Sequence, residues 1–207
     1  MEDVLDLYTK PLPPGHELHC FDECPKQLLG TPRGTVACAP GHARRLDYEY
    51  ERRGTRNLFI AVSPFAGTRT VAVTTRRTAA DTAAFLWQYC MDEHRSTRHL
   101  HLILDNLNTH QERALRNVWG TRRANAFFSK VTLHFTPSHA SWLNMAEIEI
   151  SCLKTQGLNQ RVATEQDLRQ CADEITAWRN RHQRTICWRF TKKEAREVFP
   201  SLYRVKN

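Results

Sequence analysis

The period of the apolar residues changes along this chain in an order that few architectures satisfy. Residues Glu17 to Glu23 alternate apolar and polar side chains after a proline-rich lead (Pro11, Pro13, Pro14), the pattern of a strand emerging from a loop. Asn57 to Ser63 and Thr68 to Thr75 are β-rich runs separated by Pro64, Phe65, Ala66 and Gly67, which predicts a hairpin. Thr78 to Glu93 then carries Ala83, Leu86, Trp87 and Cys90 at helical spacing, with Thr78 or Asp81 as N-cap. His99 to Leu104 is a fourth strand that stops at Asp105 and Asn106. A helix over Thr109 to Trp119 and a fifth strand over Val131 to Phe135 follow. Helices are expected at Ser141 to Thr155, opened by Ser141; at Thr164 to Gln183, with Thr164 and Asp167 as a capping box; and at Thr191 to Phe199, with Glu194 three residues after its cap. Between Cys24 and Arg56 the chain is rich in Gly, Pro and Arg and reads as a long irregular excursion. Three strands, a helix, then strand, helix, strand and helices give an α/β fold, a mixed five-stranded sheet flanked by helices. The expected division is a lead over 1–16, one domain over 17–200 and a tail over 201–207.

Length and composition narrow the class. A chain of 207 residues, 41% hydrophobic and 25% charged, buries a real core in one domain. Its acidic N-terminus is unlike a secretory signal, and no run approaches the ~20 apolar residues that span a bilayer, so a cytoplasmic, nucleoid-associated protein without a membrane partner is expected. Seven scattered cysteines argue against a disulfide scaffold; Cys20, Cys24, Cys38 and His42 form at best a loose zinc quartet. The net charge is +8, and residues 151–207 carry 12 basic against 6 acidic side chains. A polyanion such as DNA suits that charge, as does a merely soluble basic surface.

The chemistry rests on acids at strand ends. In open α/β sheets functional groups gather at the carboxyl ends of strands, where both Asp22 and Asp105 fall. Glu147, on a helix after the fifth strand, is available as a third. Carboxylates around one point repel unless cations neutralise them, and oxygen-only ligation suits Mg²⁺ or Mn²⁺. Two such ions serve in-line displacement at phosphorus, the chemistry of nucleases and strand transferases. The plainer alternative is that Asp22 and Asp105 only cap strand ends.

Three blocks go further: Phe21-Asp22-Glu23; Leu102-Ile103-Leu104-Asp105-Asn106 with Thr109-His110; and Leu133-His134-Phe135-Thr136-Pro137 with Ser141-Trp142-Leu143-Asn144-Met145-Ala146-Glu147. In order and rough spacing they resemble the DDE transposases of bacterial insertion sequences, within the mariner-like superfamily, over about residues 17 to 200. The resemblance implies a ribonuclease H-like fold and a transposase catalytic domain that cleaves DNA and transfers strands. It implies Asp22, Asp105 and Glu147 as catalytic residues and metal ligands, holding two Mg²⁺ or Mn²⁺ ions. The expected partners are DNA, both element ends and target, and a second copy of the chain in a homodimer. Family members carry helix-turn-helix modules before this domain; here a separate chain is expected to supply end recognition. The alternative is a non-catalytic remnant that binds DNA or a partner.

The 41 residues between Asp105 and Glu147 exceed the family's usual spacing, and the excess is expected in a loop around Gly120 to Asn125. Glu149 is a rival ligand, but at ~100° per residue it points away from Glu147, whose face Asn144 shares. Asn106 and His110 are candidates for positioning the DNA backbone or water, with helix capping open for Asn106. Glu23 is either a supporting ligand or, more simply, a solvated strand-end acid. The tryptophans read as core or interface anchors. Candidate phosphate contacts are Arg44, Arg45, Arg52 and Arg53 in the excursion, and Arg179, Arg181, Arg184, Lys192 and Lys193 near the C-terminus.

Overall fold

The computed structural model describes residues 1–32, 35–36, 39–41, 45–46, 48–138 and 140–200. In chain order the elements are α1 (Glu2–Thr9), β1 (His16–Gly30), β2 (Thr35–Val36), β3 (Arg45–Leu46), β4 (Glu51–Ser63), β5 (Thr68–Thr74), α2 (Ala79–Trp87), β6 (His99–Leu104), α3 (Glu112–Lys130), β7 (Val131–Phe135), α4 (Met145–Leu153), α5 (Glu165–Arg181) and α6 (Lys192–Val198). Five strands form one sheet in the order β5-β4-β1-β6-β7. β5, β4 and β1 are mutually antiparallel neighbours, whereas β1, β6 and β7 run parallel. The mixed sheet of five strands is the one the apolar periods predict.

Alternation along β1 fixes what each face of the sheet carries. Side chains two apart share a face, so Phe21 packs with Phe59, Leu86, Leu102, Leu104 and Leu115 beneath α2 and α3. Leu18 and Cys20 join Ile103, Met145 and Ala146 on the opposite face, together with Val4, Leu5 and Tyr8 of α1. Cys24 extends that face towards Ile150, Leu153 and Leu168 of α4 and α5. Burying a side chain of this size contributes about 1.5–3 kcal/mol, which is why the pattern dictates the register.

Four sequence expectations change. Both ends of the excursion over Cys24 to Arg56 are paired, and β1 does not stop at Glu23: its ladder with β4 runs from Cys20 opposite Val62 to Gly30 opposite Glu51, with an irregularity between Gln27 and Leu29. Beyond Cys20 no further pairing to β6 occurs, so β1 becomes single-sided and tolerates Pro25. The lead contains α1, too short to announce itself by periodicity; it is held by buried Val4 and Leu5 and by Lys192–Asp6 and Arg196–Glu2 ion pairs to α6. The expected loop around Gly120 to Asn125 is helical: α3 starts at Glu112 and continues to Lys130 across a kink at Gly120, whose φ of 70° favours glycine. Trp119 and Phe127, one from each half, pack on each other and keep both halves on the sheet. Finally, α4 opens at Asn144 rather than Ser141, since Asn144 Oδ1 accepts the Ala146 N–H at 3.1 Å and residues Ser141–Leu143 form a separate tight turn.

The helix starts at Thr78 and Thr191 are full capping boxes, with Asp81 and Glu194 returning the bond. At Thr164 the side chain accepts from Asp167 N at 3.1 Å. The tail over 201–207, Cys38, His42 and Arg44 lie outside the described residues, as does the side chain of Arg45.

Across the parallel strands, histidines line up. His101 is 3.1 Å from His16 and 3.0 Å from His134 through its two ring nitrogens. Burial, then the neighbouring His134, His99 and His16, push His101 down to about 4. A histidine depressed in the folded state contributes stability above its unfolded value of about 6.5, and loses it as pH falls toward 4. The thermal midpoint should therefore drop as pH falls through that window. His101→Gln should flatten the drop by about 1 kcal/mol, solvent screening at this half-open row limiting the effect; circular-dichroism melts at stepped pH read it.

Candidate active site

β1 and β6 are parallel, with Cys20 opposite Ile103. Two residues further along each strand, that register brings Asp22 and Asp105 to the same edge of the sheet. Asp22 lies on the face that α4 covers. There the Asn144 side-chain N–H₂ donates to the Phe21 carbonyl at 2.8 Å and approaches Asp22 Oδ2 at 3.2 Å. Asn144 therefore caps α4 and fastens its first turn to β1 just past the end of its pairing with β6. Glu147 sits in that first turn, with its N–H donating to the Asn144 carbonyl at 3.0 Å.

The charges of the neighbouring acids act on Asp22. Asp22 is 6% exposed, and burial pushes its carboxyl up to about 7, with Glu147 and Asp105 repelling it further against the Glu23 N–H bond at 2.8 Å and the attraction of His110. A buried carboxylate beside two others has the environment that a bound cation relieves.

His110 links the two faces of the sheet where β1 parts from β6. Its Nδ1 lies 2.6 Å from Asp105 Oδ1 and its Nε2 3.0 Å from Glu23 Oε1. Burial alone would lower it, but the bonds to Asp105 and Glu23 prevail and raise it to about 9, so the ring is an imidazolium donating to both acids. Glu23 is neither at a strand end nor a solvated acid: it lies within β1 opposite Phe59, its side chain is 3% exposed, Thr82 donates to Oε1 at 3.5 Å, and Oε2 is buried without a hydrogen-bond partner. Alternation put Glu23 on the α2 face, where α2 covers it. Thr82, and Arg77 lining the same cleft as Glu23, carried no motif and were not singled out by sequence.

Other candidates separate from the site. Asn106 is exposed and bonded to Gln111, and α3 is capped by Gln111, so Asn106 does not cap it. Glu149 is fully buried on the far side of α4, where Arg179 donates to both its oxygens at 2.6 and 2.8 Å and Arg69 Nε stands 3.1 Å away. Arg179 is thus committed to Glu149, and Lys192 to Asp6 and Glu2, rather than to phosphates. Arg53 pairs with Glu51 at 2.9 Å, whereas Arg52, Arg181 and Arg184 are exposed. Cys20 is buried, its thiol pushed up to about 12 by burial, and it sits 3.7 Å from the Tyr8 hydroxyl, surroundings unsuited to a zinc thiolate.

Asp22, Asp105 and Glu147 offer hard oxygen donors only, and the unpartnered Glu23 Oε2 adds another close by. This donor set fits Mg²⁺ or Mn²⁺ and not a nitrogen- or sulfur-seeking metal.

The fold has known counterparts. The Mos1 mariner paired-end complex with Mn superposes with a TM-score of 0.58 at 17% identity, over 88% of this chain and 56% of that one. The Mos1 strand transfer complex gives a TM-score of 0.55 at 16% identity, over 82% of this chain and 51% of that one. The chain thus spans about half the length of these transposase chains, and shares their ribonuclease H-like fold. No curated protein sequence matches it. The family model described as DDE superfamily endonuclease matches residues 17–169, which include the three acids at the sheet edge, and the chain belongs to that family.

Proposed function

We propose that this domain cleaves DNA and joins the cut strand to a target, as a transposase does, with Asp22, Asp105 and Glu147 holding divalent metal. The observation that carries the reading is the buried Asp22 carboxyl, raised to about 7 at the carboxyl edge of parallel strands by burial and by the charges of Glu147 and Asp105. Two Mg²⁺ or Mn²⁺ ions, when bound, would neutralise these acids and supply an activated attacking oxygen and a stabilised leaving oxygen for displacement at phosphorus.

The remaining work falls to the chain's own side chains. Asn144 holds Asp22 and the start of α4 together, which fixes Glu147 relative to β1. His110, held as an imidazolium between Asp105 and Glu23, fixes the Asp105 carboxylate and shields it from its neighbours. Arg77, beside Glu23 in the open cleft, is positioned to meet a phosphate. In the same reading two copies hold two DNA ends, with recognition of those ends supplied by a helix-turn-helix chain.

The test is incubation of the protein with supercoiled plasmid and with labelled element ends, under Mg²⁺, Mn²⁺ or EDTA. Nicking and joining that need the metal are expected. DNA binding with no cleavage under either ion would instead favour the non-catalytic remnant.

A further inference from the structure

A second group of ligating side chains lies at the opposite end of β1. Glu17 and His19, two apart, share the face that looks onto α2, and His94 ends the wide turn that follows that helix. His19 Nε2 is 3.0 Å from Glu17 Oε2, and His94 Nδ1 is 3.5 Å from the same oxygen. One donor atom from each of the three falls within 4.8 Å of the others. Asp22 lies five steps along the strand from Glu17, about 16 Å at 3.3 Å per residue, so this is not an extension of the carboxylate site.

We infer that Glu17, His19 and His94 form a binding site for a zinc-class divalent metal. In tetrahedral zinc sites, with bonds of about 2.0–2.1 Å to nitrogen and oxygen, neighbouring donor atoms stand about 3.3 Å apart, close to the 3.0 and 3.5 Å from the Glu17 oxygen to the two imidazole nitrogens. Two imidazoles and one carboxylate select zinc and its neighbours over Mg²⁺. The ligands are also oriented from behind. The other ring nitrogen of His19 meets the fully buried Tyr89 hydroxyl at 2.5 Å, and Thr97 donates to the second Glu17 oxygen at 2.8 Å. Such outer bonds set the tautomer and direction of metal-binding side chains. Lys130 reaches the His94 carbonyl, so one cation stands near the site. Glu17 and His94 remain partly exposed, at 45% and 22% of their side chains, which leaves metal a way in and a fourth position open to water. Bound metal would tie β1 to the connection between α2 and β6.

The experiment uses Co²⁺ as the probe, in the wild type and in a variant carrying Asp22→Asn, Asp105→Asn and Glu147→Gln, which silences the carboxylate site. One equivalent of tetrahedral Co²⁺, with no thiolate charge-transfer band and displaced by Zn²⁺ but not by Mg²⁺, is expected in both, any further Co²⁺ in the wild type being released by Mg²⁺ and missing from the variant. Glu17→Gln and His94→Gln, at partly exposed positions and checked for folding by circular dichroism, should each weaken Co²⁺ at least tenfold and remove the rise in thermal midpoint produced by Zn²⁺. Absence of a stoichiometric site, or binding that survives both substitutions, or thiolate bands, would overturn the assignment.

Discussion

Asp105→Asn is expected to lower metal-dependent nicking of DNA by about 10³-fold while the protein stays folded. Loss of one carboxylate from a metal site removes several kcal/mol of transition-state stabilisation, and each ~1.4 kcal/mol is tenfold in rate. Asparagine keeps the shape of the side chain and can still bond His110, so the fold should be spared. The same outcome is expected for Glu147→Gln, which is partly exposed in the first turn of α4. Plasmid nicking under Mg²⁺ and Mn²⁺, with thermal melts on the same samples, measures both quantities. Undiminished nicking by folded Asp105→Asn would remove that residue from the proposed metal site.

Glu149→Ala should do the reverse, costing about 3–5 kcal/mol of stability with no specific effect on turnover per folded molecule. Glu149 is fully buried, and its carboxylate is the partner of two arginines, Arg179 through two hydrogen bonds and Arg69 in an ion pair at 3.1 Å. Removing it leaves the Arg69 side chain, also wholly buried, as an uncompensated charge between β5 and α5. Denaturant unfolding would show the loss as a lower midpoint with an unchanged slope. The contrast between Glu147, tied to chemistry, and Glu149, tied to stability, separates two acids two residues apart on one helix. A Glu149→Ala protein as stable as the wild type would contradict the role assigned to that ion-pair cluster.

Much of this was legible in the sequence because local rules decide it. Strands at His99–Leu104 and Val131–Phe135, and the hairpin around Gly67, follow from alternation and turn residues that need no distant partner. The capping boxes at Thr78 and Thr191 were readable for the same reason. Helix phase together with the Leu-Asn block set Glu149 apart from Glu147. What failed were places where distant contacts overrule local signals. The Gly- and Pro-bearing run after Cys24 looks irregular alone, but β4 supplies the backbone partners that make it a strand. Gly120 reads as a break, yet the Trp119–Phe127 contact across the kink keeps α3 going on both sides.

The acids show the same division. Sequence by itself determined that Asp105 follows the end of a strand, that Asp22 lies on one and that Glu147 rides an early helical turn, since strand alternation, the stop after Leu104 and the Leu-Asn-x-x-Glu block are all local; it wrongly stopped β1 at Glu23, where only the pairing to β6 ends. Only the tertiary structure decided how those acids are held. Asn144 pins α4 to the Phe21 carbonyl across the chain, and His110 bridges Asp105 to a Glu23 that α2 has buried. The physical reason is that burial and charge coupling belong to pairs of residues far apart in sequence. Asp22 is pushed to about 7 by burial and by Glu147 and Asp105, neither of which lies in the stretch of chain around it.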